Sequence, residues 1–223
     1  MENNMSNLFN MDNPVFTAIG KICDLFLLSV VWILLCLPLI TIGPANTAIY
    51  YATVKVIRKD RGYLMREFFK SFKLNFKKGA IIGIILTLAS VILAFDIYWA
   101  KANMSNMPKY GSILFGVFIA LAFFVVCIII YAFPILSRFD MTIKQLIKAS
   151  AFMAAKHFPS SLVMLLINAV CIVAGIWFQI LILILPALDV LLISFVMERI
   201  LKKYTPKSEG TPEETGKDEW YLE

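Results

Sequence analysis

Charge is scarce in this 223-residue chain: Asp, Glu, Lys and Arg together make up 16% of it, against 60% hydrophobic residues. An ordinary soluble domain carries about 25% charged residues, so that class is excluded. Histidine occurs once, as His157, which rules out the paired-histidine motifs of metalloenzymes. No phosphate-cradling glycine loop and no serine-centred nucleophile elbow is present either. The four cysteines, Cys23, Cys36, Cys127 and Cys171, lack metal-ligand spacing and all fall within apolar runs, where small buried thiols are ordinary. The expectation is a chain with no catalytic residues, no metal and no cofactor.

What fills the chain instead is long apolar runs, at residues 22–37, 80–95, 113–135 and 162–197. A spanning helix needs about 20 apolar residues to cross a hydrocarbon core roughly 30 Å thick. The last run would measure about 54 Å as one helix, too long for any bilayer, and is expected to break near residues 175–179. The fold class is therefore all-α, a polytopic membrane protein of about five transmembrane helices plus cytoplasmic amphipathic helices. The spans fall near 22–40, 80–100, 112–136, 161–176 and 180–198, within a single membrane domain over 1–204. The first run lacks a following small-residue cleavage site and reads as a retained span. The tail 205–223 is polar, acidic and expected to be disordered.

Charge suggests an orientation. Residues 43–79 hold nine Lys or Arg against Asp60 and Glu67, and the connection before the fourth span holds Arg138, Lys144, Lys148 and Lys156 against Asp140. The 101–111 connection has only Lys101 and Lys109. The positive-inside bias puts the first two in the cytoplasm, along with Arg199, Lys202 and Lys203. Five spans then leave the N-terminus outside and the C-terminus inside, in a plasma membrane.

Within the expected cytoplasmic loop 43–79, residues 63–78 form a basic amphipathic helix. Met65, Phe68, Phe69, Phe72 and Phe76 share one face, and Arg66, Lys70, Lys73 and Lys77 share another. Such a helix either lies on anionic lipid or docks on another protein. Nucleic acid is not expected, because the phenylalanines need an apolar bed. Upstream, Pro38 ends the first span, and Gly43-Pro44 opens a helix running to about Lys59. Its small residues Ala45, Ala48 and Ala52 permit close helix approach, and Tyr50 and Tyr51 can reach a polar partner. A weaker echo, an apolar helix punctuated by lysines, occupies 141–160.

The string Leu37-Pro38, Thr41-Ile42-Gly43-Pro44-Ala45, Thr47-Ala48 and Tyr50-Tyr51, followed by Phe68-Phe69, Ser71-Phe72 and Asn75-Phe76, resembles the YesL family. These are bacterial integral membrane proteins grouped under a domain of unknown function. The resemblance implies a role near carbohydrate uptake, since genes of the family often sit beside those of carbohydrate ABC importers. It supplies no catalytic residues.

Acids within spans are candidate sites by default. Asp24 and Asp96 fall near the outer ends of their spans, beside Lys21 and Lys101. Asp189 falls nearer the middle of the fifth span, three residues after Pro186, with Asn168, Gln179 or Ser194 as candidate partners. Asp189 and Asn168 form the candidate intramembrane polar site, either a structural hydrogen bond or a contact for an ion, solute or partner helix. His157 reads as an interfacial residue. The leading functional reading is a non-enzymatic accessory subunit that binds the membrane lipids and the permease subunits of a carbohydrate ABC importer. Alternatives are a small solute transporter or channel acting as a homo-oligomer, and a membrane scaffold or signalling adaptor.

Overall fold

The structure, a computed structural model, describes residues 14–104 and 110–205; the expected acidic tail beyond 205 lies outside the described residues. Every regular element among them is helical: α1 (Pro14–Leu35), α2 (Ile42–Ala52), α3 (Leu64–Leu74), α4 (Phe76–Ala102), α5 (Gly111–Arg138), α6 (Ile143–Lys156), α7 (Phe158–Trp177) and α8 (Leu185–Tyr204). Four of these, α1, α4, α5 and α7, are long and apolar enough to cross a membrane. Their apolar side chains face outward, for example Leu88, Val91 and Phe95 on α4 and Val170, Ile172 and Val173 on α7. That inversion of the usual rule is what a lipid solvent demands. α8 is of similar length but carries Asp189, Glu198, Arg199, Lys202 and Lys203, so the count of five spans is not reached on hydropathy alone.

The 162–197 run does break. α7 ends at Trp177, a 3-10 turn covers Gln179–Leu183, and α8 begins at Leu185. The break falls a few residues later than the expected 175–179, because Pro186 fits only in the first turn of a helix, where its missing N–H is no loss.

The helix expected from Gly43-Pro44 to about Lys59 is present, and it is the most buried segment among the described residues: nine of the eleven residues of α2 are buried. It continues through a π-helical turn, Thr53–Arg58, in which Thr53 to Ile57 are also buried. Two contacts give its course. At its start, Gly43 lies so close to Gly79 and Gly83 of α4 that a Cβ on Gly43 would stand 1.9 Å from the Gly79 carbonyl oxygen. At its end, Asp60 pairs with Lys21 in the N-terminal half of α1, at 3.1 Å. α2 therefore runs back antiparallel to α1. The chain turns at Asp60 and Gly62, both at positive φ (52° and 84°), and α3 returns to Asn75, where α4 starts. Lys21 thus pairs with Asp60 rather than with Asp24, its neighbour along the sequence.

Small residues make this packing possible. Ala45, Ala48 and Ala52 are each fully buried, and Ala48, Ile49, Ala52 and Val56 pack with Leu25 and Leu28 of α1 and Phe68 of α3. On the other side, Tyr50, Tyr51 and Val54 join Ile82 and Leu86 of α4, Tyr131 and Ile135 of α5 and Met197 of α8. The helix hairpin α2–α3 is thus a wedge between α1 and the α4–α5–α8 group.

Candidate functional site

Two regions gather the residues singled out by the sequence. The first is α3. Its aromatic face is divided by the fold: Phe68 is wholly buried and Phe72 half-buried, whereas Phe69 and Phe76 are exposed. Phe68 stacks on Phe72 at 6.3 Å between ring centroids and meets Phe69 edge-on at 5.4 Å. The expectation that Phe68 contacts lipid or a partner is corrected here, because its bed is α1 and α2 of the same chain. Glu67 fixes the helix further. It is buried and accepts a 2.9 Å salt bridge from the equally buried Lys55 Nζ, which also donates to the Tyr51 hydroxyl. The face left outward, continued into the first residues of α4, carries Arg66, Phe69, Lys70, Lys73, Leu74, Phe76 and Lys77.

The second region surrounds Asp189. Because α8 begins at Leu185, Asp189 lies one turn inside that end, about 6 Å along the axis, and not near the middle of a span. A cavity of about 540 Å³ opens there between α7 and α8, lined by Trp32, Asn168, Cys171, Gly175, Gln179 and Asp189 among mostly apolar neighbours. A smaller one of about 270 Å³ shares Trp32, Asn168, Pro186 and Asp189 with it and reaches inward to Asn46 and Tyr50. Asp189 Oδ1 is buried and has no hydrogen-bond partner, and the Cys171 thiol stands against the same carboxylate. Of the partners expected for Asp189, Asn168 shares both cavities but donates to the Met164 carbonyl, 3.2 Å away. Ser194 is taken up by Leu191 and Arg58. Gln179 lines the larger cavity.

Sequence reading missed the polar groups that fill the interior beside this site. The Trp32 indole donates to Asn46 Oδ1 at 2.8 Å. The Tyr50 hydroxyl donates to Glu198 Oε1 at 2.7 Å, and Arg138 closes a salt bridge on Glu198 Oε2. Arg138, counted as a loop cation from its position, is buried. Arg58 donates to the Ser194 carbonyl at 2.8 Å and lies over the Phe195 ring. Trp32 and Asn46 are 14 residues apart, on separate helices, and the other partners are 60 to 148 residues apart. Those separations are beyond the reach of any local pattern; the available signals were Tyr50, expected to reach a polar partner, and Glu198, an acid in an otherwise basic helix end.

His157 joins α6 to α7, and its Nε2 is 3.0 Å from the Tyr204 hydroxyl. Burial, then Lys203 and Lys156, hold its pKa below the usual histidine value. No group of three or more His, Cys, Asp or Glu residues suited to a metal occurs among the described residues.

The family described as "Protein of unknown function, DUF624" matches residues 25–97, which take in the second half of α1, the whole α2–α3 hairpin and most of α4. The uncharacterized protein YesL of Bacillus subtilis (strain 168) is 28% identical over 131 residues, covering 57% of this chain and 60% of that protein. The uncharacterized protein YteU of the same organism is 26% identical over 142 residues, 62% of this chain and 61% of its own length. The chain thus spans about three-fifths of the curated relatives it matches. No solved structure matches. The matched region contains the α2–α3 hairpin, and the chain is a homologue of YesL and YteU with a DUF624 match over residues 25–97.

Proposed function

We propose that this protein is a non-enzymatic membrane subunit that acts by holding a partner, and that the partner is a permease subunit of a carbohydrate ABC importer. The observation that carries the reading is the anchoring of α3. One face is locked by Phe68 and by the Lys55–Glu67 salt bridge, so the opposite face presents Phe69, Leu74 and Phe76 among four cations in a fixed arrangement. A pre-organised aromatic and cationic surface loses little conformational entropy on binding. The carbohydrate importer comes from the family resemblance and not from the geometry.

In this reading α8 is the fifth span, the N-terminus is outside and the C-terminus is cytoplasmic. The ends bearing Lys78 and Asp140, which are paired, His157 and Tyr204 are one side, and the positive-inside bias assigns that side to the cytoplasm. α2 enters from it at Gly43 and carries Arg58 to Ser194, midway along α8. The α2–α3 hairpin is then re-entrant, with Asn46, Tyr50, Lys55, Arg58 and Glu67 all partnered within the protein, as burial in protein at membrane depth requires.

The test is affinity purification of the tagged chain from native membranes in mild detergent, with identification of what accompanies it. Importer permease subunits are expected with the wild type and absent with Lys70→Glu/Lys73→Glu, which alters the exposed cations of the outward face and leaves the Phe68 anchor in place. Recovery of the wild-type chain alone would overturn the reading. The joined cavities at Asp189 favour a second one, a small transporter working as an oligomer. Its test is flux in proteoliposomes holding this protein only, with Asp189→Asn as comparison.

A further inference from the structure

The Asp189 cavity has a chemistry that narrows what can occupy it. Its volume, about 540 Å³, is that of a small-molecule site, which runs roughly from 300 to 1,000 Å³. Its walls are largely Ile172, Ile176, Ile182, Leu185 and Pro186, with polar groups only from Trp32, Asn168, Gln179, Asp189 and the Cys171 thiol. Two of those are engaged within the protein, the Trp32 indole with Asn46 and the Asn168 amide with Met164. A free sugar would enter with several hydroxyls and leave most of them unpaired, each at a cost of about 1–3 kcal/mol. The site does not suit one.

At one point the wall reverses character. Asp189 Oδ1 is buried and unpartnered, and no Lys, Arg or His lines the cavity. Of the lining residues the Cys171 thiol, a weak donor, stands against the carboxylate, and no lining cation compensates its charge; a carboxylate buried on those terms is costly. An isolated charge is disfavoured at such a place, so an occupant that brings a cation is what would stabilise the ionised carboxylate. The complementary occupant has an apolar body and a compact cationic donor.

We infer that the cavity binds an amphiphile with a primary ammonium head, the ammonium against Asp189 and the tail along the α7–α8 wall. This goes beyond the partner-holding role and does not depend on it. A fatty acid would bring like charge to Asp189, and a fatty alcohol would offer one donor without neutralising it. The ammonium could come from a free alkylamine or from an aminophospholipid headgroup.

Trp32 lines both cavities and reports occupancy. In a variant carrying Trp99→Phe, Trp177→Phe and Trp220→Phe, the emission of Trp32 is followed in phosphatidylcholine nanodiscs at pH 7 while dodecylamine is added. A saturable change is expected, with dodecanol and lauric acid giving only the linear response of membrane partitioning. Asp189→Asn is expected to raise the midpoint at least tenfold. Nanodiscs containing phosphatidylethanolamine separate the sources: a changed starting emission with a weakened dodecylamine response assigns the headgroup, and an unaltered response assigns the free amine. No saturable change, an equal response to dodecanol, or an unshifted midpoint in a folded Asp189→Asn would overturn the inference. If that variant does not fold, alkylation of Cys171, with the other three cysteines replaced by alanine, decides. Protection by dodecylamine and not by dodecanol supports the site, and protection by neither or by both removes it.

Discussion

Replacing Gly43 by alanine is the sharpest perturbation the fold offers. A Cβ there would lie 1.9 Å from the Gly79 carbonyl oxygen, 2.7 Å from its carbonyl carbon and 3.1 Å from the Gly83 Cα. All three are backbone atoms, so no side chain can swing away, and a comfortable carbon–oxygen contact of about 3.3 Å requires α2 and α4 to separate by about 1.4 Å. That separation loosens contacts along a helix whose neighbours are almost all buried. Overpacking of this kind costs about 1–3 kcal/mol and occasionally more; a backbone-to-backbone clash belongs at the upper end, about 3 kcal/mol. For a chain of this length the midpoint of thermal unfolding should fall by about 6–12 °C. Gly83→Ala, whose Cβ would meet Gly43 backbone at 2.9 Å, should lose less. Gly116→Ala, with nothing within 4 Å, should lose nothing and gain slightly from helix propensity. The assay is thermal unfolding of the purified variants in one detergent, read by tryptophan emission. If Gly43→Ala unfolds within 2 °C of wild type (roughly the effect of under 1 kcal/mol), or Gly116→Ala falls as far, the close approach of α2 and α4 is refuted.

Glu67→Gln leaves the Lys55 ammonium buried without its counter-charge and should cost about 3–5 kcal/mol, while Lys55→Met/Glu67→Leu should recover most of it; denaturation of the two variants against wild type measures both effects. With the native cysteines replaced, Asp60→Cys and Lys148→Cys should react with a membrane-impermeant maleimide from opposite sides of sealed vesicles, and labelling from the same side would remove the re-entrant hairpin. Because burial depresses the His157 pKa, the unfolded chain takes up a proton near pH 6.5 that the folded chain resists. Stability from this group is therefore whole above that pH and lost as pH falls towards 5. Unfolding midpoints between pH 7 and 5 should fall less for His157→Gln than for wild type.

The apolar runs made the long helices readable, because a segment solvated by lipid is apolar on every side and needs no partner to declare itself. In residues 42–58 the helix and its small-residue packing face were legible, but the partners of its charges were not. Lys55, Arg58 and Asp60 look like loop charges until Glu67, Ser194 and Lys21 are brought to them. The amphipathic face of α3 was legible from its periodicity, but periodicity cannot say whether Phe68 meets lipid or protein, and packing against α1 and α2 decided it. Asp189 was legible as an acid in an apolar run. Its depth was not, since that is set by where Pro186 allows α8 to begin.

The α2–α3 hairpin also constrains how the protein is made. Two of its polar residues find their partners late: Tyr50 waits for Glu198, and Arg58 for Ser194. While the ribosome is still extending the chain, an insertion machinery sorting segments by hydropathy would meet 42–74 as a poorer candidate than the runs on either side of it. Its wedging between α1 and the α4–α5 pair is then completed only when α8 arrives. A chain truncated before residue 185 should insert α1, α4, α5 and α7 yet hold its hairpin less tightly, and protease should cut the 59–63 turn faster than in the full chain.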